Sequence, residues 1–236
     1  MVQTISNSDG PISYIMKRVL VIAAHPDDEV IGGGATLARL RSEGAELFVA
    51  IVTEGWSVQY PHQPEMLEKK QQAAHAALEA LGGGKLFFGN LANLQLDTIP
   101  AVTVNTFLEQ VVRDVKPDIV FTHHASDLNH DHRIVYQSSM VACRPWSDHL
   151  ISAIYSYPIL GVSDFGGTNS AFSPNRFFAV EKFLPHKLAA LKAYDMELRP
   201  FPHPRSPEAV EAQGRVYGSL CGLTWAEAFA TIRQID

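Results

Sequence analysis

The chain has 236 residues, with 19 Lys and Arg against 25 Asp and Glu, and the resulting formal charge of −6 argues against a nucleic-acid binder. At 46% hydrophobic and 19% charged residues it has neither the composition of a disordered chain nor that of a fibre, and its length suits one large α/β domain. Its two cysteines, Cys143 and Cys221, exclude a disulfide framework and read as buried apolar residues.

Residues 1–16 form a polar lead expected to be mobile, without the basic start and long apolar run of a signal peptide. No stretch reaches the roughly 18 apolar residues of a membrane span, so the cytoplasm is the expected address. Arg18–Ala24 is a short run, wholly apolar after Arg18, that predicts a buried parallel strand. Val30–Glu43 follows with Gly32-Gly-Gly34, then Leu37 and Leu40 at helical spacing, and a stop at Gly44. Ala45–Val52 completes a βαβ unit. The alternation goes on with a helix over Glu65–Leu81, a strand at Lys85–Phe88, a helix at Val102–Val115 and a strand at Asp118–Thr122. A helix over Asp131–Cys143, strands near Ala153–Tyr157 and Arg176–Val180, and a helix over Glu181–Tyr194 complete the pattern. Residues 196–236, beginning around Pro200-Phe-Pro-His-Pro-Arg-Ser-Pro207 and continuing through two short helical patterns, read as an appendage packed on the core. Without linker or repeat, the whole of 1–236 is expected to be one domain. The fold class is α/β, a Rossmann-like doubly wound, mostly parallel sheet with helices on both faces.

Ligands of such folds lie beyond the carboxyl ends of the strands. Two polar clusters fall there, His25-Pro-Asp-Asp-Glu29 and His123-His-Ala-Ser-Asp-Leu-Asn-His-Asp-His132. An imidazole and three carboxylates on one turn repel each other unless a cation or several N–H groups compensate them, and imidazole with carboxylate is a common zinc ligand set. Pro26 biases His25 toward an extended conformation and so holds the turn in a defined geometry. The simpler alternative is that Asp27 or Asp28 only caps the helix that follows.

Ala24-His-Pro-Asp-Asp-Glu29 with its glycine-rich continuation, and the later Asn129-His-Asp-His132, resemble the PIG-L/LmbE-like zinc-dependent de-N-acetylases. Thr53-Glu-Gly55 and Leu81-Gly82 extend the likeness more loosely. The resemblance implies a Rossmann-like fold and removal of an N-acetyl group, usually from an amino sugar. It implies that His25, Asp28 and His132 bind Zn2+, or another divalent metal such as Fe2+, and that Asp27 is the general base and then acid. Glu29 and Asp131 are expected to support the ligands from behind. Several relatives carry a histidine where Asn129 stands, so the oxyanion donor is assigned to Asn129 or His203.

Further candidates for substrate contact are Trp56 as a stacking platform, Asp97 and His130 as polar contacts, and Arg205 as a fork for phosphate or carboxylate. His123 and His124 read as structural. A dinucleotide-binding turn fails because Leu37 stands where the motif needs a small residue and the acids would repel a pyrophosphate. The expected partner is a small N-acetylated sugar or sugar nucleotide, with no nucleic acid and no membrane span. A symmetric homo-oligomer is the usual outcome if the enzyme associates. The competing functions are hydrolysis of a different amide, such as an N-formyl sugar or a thiol-cofactor conjugate, and a non-catalytic sugar-binding module of the same fold.

Overall fold

A computed structural model describes residues 17–145, 149–163 and 172–235, so the amino-terminal lead lies outside the described residues. In chain order the elements are β1 (Arg18–Ala23), α1 (Asp28–Ser42), β2 (Glu46–Thr53), α2 (Glu65–Ala80), β3 (Lys85–Leu91), α3 (Ala101–Val115) and β4 (Ile119–Thr122). They continue with α4 (His130–Ala142), β5 (Ala153–Ser156), β6 (Arg176–Ala179), α5 (Leu184–Ala193), α6 (Pro207–Cys221) and β7 (Ala226–Gln234). The described strands form one sheet in the order β3-β2-β1-β4-β5-β7-β6. The run from β3 to β5 is parallel, and β7 is antiparallel to both its neighbours.

Strand alternation sends β1 side chains to two cores. Val19, Val21 and Ala23 pack with α1, α2 and α5, while Leu20, Ile22 and Ala24 pack with α3 and α4. This is why β1 carries no polar residue after Arg18: both of its faces are covered by helices. Sequence order reverses at β1, which has β2 on one side and β4 on the other. The turns leaving β1 and β4 therefore splay apart at one edge and open a crevice.

The carboxyl-terminal stretch differs from its expected form. One of the two helical patterns is α6, capped by Ser206 Oγ, which accepts from Ala209 N–H at 3.1 Å. The other, Ala226–Gln234, is a strand inserted between β5 and β6. β7 also braces α1. Gly33 leaves helical geometry (φ −158°, ψ 19°), and Glu227 of β7 accepts the freed N–H groups of Ala35 (3.1 Å) and Thr36 (2.6 Å). Lys187 of α5 donates to Ile31 C=O at 2.8 Å and pairs with Glu227, so both sides of the break are satisfied by a buried ion pair. A Cβ on Gly32 would lie 2.2 Å from the ring of Tyr157, so the broken helix packs directly on that ring. Cys143 is buried as expected, but Cys221, on the outer end of α6, is exposed. No helix among the described residues is long and apolar enough to cross a membrane.

Candidate metal and catalytic site

The β1–α1 turn and the start of α4 bring His25, Asp28 and His132 together, with one ligand atom of each within 4.8 Å of the others. His25 Nδ1 lies 3.2 Å from Asp28 Oδ2 and 3.1 Å from His132 Nε2, and His132 Nε2 is 3.4 Å from Asp28 Oδ2. The far ring nitrogens both face carboxylates: His25 Nε2 is 3.1 Å from Asp131 Oδ2, and His132 Nδ1 is 3.1 Å from Asp127 Oδ2. A proton on each far nitrogen leaves the lone pairs of the near nitrogens converging. Two lone pairs at 3.1 Å beside a carboxylate, with Asp28 Oδ1 buried and without a hydrogen-bond partner, fit a divalent cation held by two nitrogens and an oxygen.

The carboxylates that point the rings are themselves held. Asp131 accepts from the N–H groups of Leu94 (2.8 Å) and Leu96 (3.1 Å), and Asp127 accepts from Ser163 Oγ–H at 2.6 Å and Asn129 N–H at 2.9 Å. Burial works against charge on His132, but Asp28 and Asp127 outweigh it and push the imidazole up to about 10. Burial would raise Asp28, yet His132 and His123 hold it well below the usual carboxylate range. Asp28 therefore keeps its negative charge despite its burial.

His123 lies against the back of the cluster. It is fully buried, its Nε2 accepts from Ala24 N–H at 2.9 Å, burial lowers it to about 4, and its ring stacks on His132 at 3.9 Å. His123, Asp127 and His132 form a second group with metal-ligand spacing, on the opposite edge of the same imidazole.

Asp27 sits beside the cluster in a left-handed conformation (φ 114°), which is costly for a residue with a Cβ and typical of functional turns. It makes no side-chain cap to α1, so capping does not account for it. Burial pushes it up to about 6, while Arg205, whose Nε lies 3.0 Å from Oδ2, pulls the other way. Gly55 is required here: its φ is 70°, and a Cβ would lie 2.5 Å from Pro26 of the same turn. Glu29 accepts from Tyr194 O–H (2.6 Å) and Asp27 N–H (3.2 Å), so its bonds hold the turn rather than a ligand side chain, and burial raises it to about 8.

A cavity of about 360 Å3 opens over this cluster, within the size range of small-molecule sites. Its lining includes His25, Asp27, Lys70, Asn129, Glu197, His203 and Arg205. Asn129 Oδ1 caps α4 through Asp131 N–H at 2.9 Å, which leaves its amide NH2 as a donor. His203 Nδ1 accepts from Arg205 N–H at 3.1 Å, which makes Nε2 the proton-bearing nitrogen.

Three sequence candidates stand elsewhere. His130 and Asp97 face each other at 3.9 Å, exposed, over a separate groove that also includes Ile134 and Gln137. Neighbouring helix residues point about 100° apart, so His130 turns outward where Asp131 and His132 turn in. Trp56 does not line the cavity, whereas its neighbours Gly55 and Gln59 do. Arg205 lines it, with its Nε 3.0 Å from Asp27 Oδ2. Sequence reasoning assigned no role to Asp127, Lys70 or Glu197. Asp127 was open to reading, since it falls inside the second cluster, five residues before His132.

A model of the GlcNAc-PI de-N-acetylase (PIG-L) family matches residues 20–143, which contain both clusters. The uncharacterised deacetylase YaiS of Escherichia coli K12 is 33% identical over 75% of this chain and 90% of its own length. Among solved structures, the N,N'-diacetylchitobiose deacetylase of Pyrococcus horikoshii superposes with a TM-score of 0.75 at 21% identity, covering 92% of this chain and 84% of that one. The 4-carboxy-2-hydroxymuconate hydratase GalB of Pseudomonas putida KT2440 superposes with a TM-score of 0.73 at 18% identity over 94% and 98% of the two chains. That likeness shows that one fold serves more than one reaction. With the family model over more than half of the chain and a relative matched over 90% of its own length, the chain belongs to the PIG-L family of de-N-acetylases and is a hydrolytic N-deacetylase.

Proposed function

We propose that this deacetylase removes the acetyl group from an N-acetylated amino sugar, free or in a small conjugate, with a divalent metal, zinc or iron(II), held by His25, Asp28 and His132. The observation that carries the reading is the convergence of those three ligand atoms within 4.8 Å beside Asp27, under a small-molecule cavity. Two imidazoles and a carboxylate suit zinc and other borderline divalent ions, and three protein ligands are the usual number in a catalytic site. The metal would polarise the acetyl carbonyl and make water acidic near neutral pH. Asp27 takes the proton from the attacking water and returns it to the departing amine nitrogen, a task suited to a carboxylate raised to about 6. The Asn129 amide and His203 Nε2–H, on the cavity wall, are the donors for the developing oxyanion. The family description and the chitobiose deacetylase support an amino-sugar substrate, and the cavity volume supports one of small size.

The test is metal content together with acetate release from a panel of N-acetylated sugars, for wild type, Asp27→Ala and His132→Ala. We expect near-stoichiometric metal in wild type and Asp27→Ala, its loss in His132→Ala, and acetate release in wild type alone. Metal-loaded wild-type protein that binds sugars but releases no acetate from any of them would instead support the binding module.

A further inference from the structure

We propose that Lys70, Glu197 and Arg205 form a buried chain of ion pairs whose task is to hold the Asp27 carboxylate in place. This rests on the reading of Asp27 as the acid/base, and makes Arg205 a positioning residue rather than a substrate handle. Arg205 Nε is 3.0 Å from Asp27 Oδ2, and its Nη1 is 3.8 Å from Glu197 Oε2. Glu197 Oε1 is bonded in turn to Lys70 Nζ, which also reaches Gln59 Oε1 at 3.5 Å. The order Asp27, Arg205, Glu197, Lys70 alternates in sign, so the four buried or half-buried charges cancel along the line.

Neither Asp27 oxygen receives a hydrogen bond from a described donor, so the ion contact with Arg205 is what locates the carboxylate. Arg205 is itself located from two sides. Its backbone is tied to His203 Nδ1 and adjoins Ser206, the cap of α6, while its guanidinium leans on Glu197. Lys70 and Glu197 are only 2% and 4% exposed and come from two packed elements, α2 and the turn after α5. A buried cation and anion that bond each other give Arg205 a fixed abutment. Loss of such an orienting contact displaces a reacting group without removing it.

The test uses full-length Arg205→Ala, Arg205→Lys and the paired Lys70→Met/Glu197→Leu variant, with N,N'-diacetylchitobiose as the probe. In Arg205→Ala we expect kcat to fall by about ten- to a hundredfold, with KM within about twofold and metal content unchanged. Added guanidinium should restore part of kcat, and Arg205→Lys and the paired variant should lie between Arg205→Ala and wild type. Crystal structures supply the arm that does not depend on turnover. They should show the Asp27 side chain moved or split in Arg205→Ala, with His25, Asp28 and His132 in place. A KM that rises about tenfold or more at constant kcat would overturn the proposal and make Arg205 a substrate contact. An Asp27 side chain in the same single position in the Arg205→Ala crystal would overturn it as well. If wild type releases no acetate from any N-acetylated sugar, the functional reading fails while the crystal comparison still decides the chain.

Discussion

In the parallel part of the sheet, the turns leaving β1 and β4 carry His25, Asp28 and His132 at the point where strand order reverses. In the antiparallel part the contributions, Glu197, His203 and Arg205, come from the segment between α5 and α6, with no strand end among them. The first arrangement follows from topology, because two neighbouring parallel strands must release their turns side by side. The second depends on long-range packing, since Glu197 is bonded to Lys70 of α2 and Arg205 to Asp27 of the β1–α1 turn. The ligand-bearing turns are therefore placed by the sheet, and the groups around Asp27 by contacts between residues distant in sequence.

The sharpest way to break that contrast concerns the brace from β7 to α1. Lys187→Met leaves Glu227 buried without its cation, and should cost about 3–5 kcal/mol of stability by chemical denaturation. Pairing it with Glu227→Gln should recover only part of that loss, because the amide has one acceptor oxygen for the two N–H groups of Ala35 and Thr36. A single variant as stable as wild type would mean that β7 is peripheral to the fold of the site. Next in size, Asp131→Asn removes the carboxylate behind His25 and should weaken metal affinity by about 10- to 100-fold in a competition titration, with the fold intact. Unchanged affinity would show that His25 needs no such partner.

A smaller effect concerns Glu29, raised by burial to about 8 from an ordinary 4.5. The native state then binds a proton that the unfolded chain releases, so stability falls as pH rises from about 4.5 through about 8. Glu29→Gln should flatten that part of the melting-temperature profile, and parallel profiles would contradict the assignment. The smallest effect compares the two cysteines. Burial pushes the Cys143 thiol up to about 12, while Cys221 is exposed, so a disulfide reagent should titrate one thiol in native protein and two in denaturant.

The parallel part was legible because its signals are local. The apolar run of β1, the glycines of α1 and the two clusters are each contiguous, and helix periodicity puts His132 on the inner face of α4. The same periodicity places His130 outside, a distinction that adjacency in sequence obscured. β7 was misread because Ala226-Glu-Ala-Phe-Ala230 is rich in helix formers, and only its pairing with β5 and β6 makes it a strand. The Lys70–Glu197 pair joins residues 127 positions apart, a relation that no local pattern encodes.

The most direct test of the central claim is anomalous diffraction from crystals of the zinc-loaded protein, collected on both sides of the zinc edge. The account predicts a zinc peak at about 2.0–2.2 Å from His25 Nδ1, Asp28 Oδ2 and His132 Nε2, with the His132 Nδ1–H still on Asp127. A peak instead between His123, Asp127 and His132 Nδ1 would contradict it, since the metal would then lie on the far edge of the His132 ring.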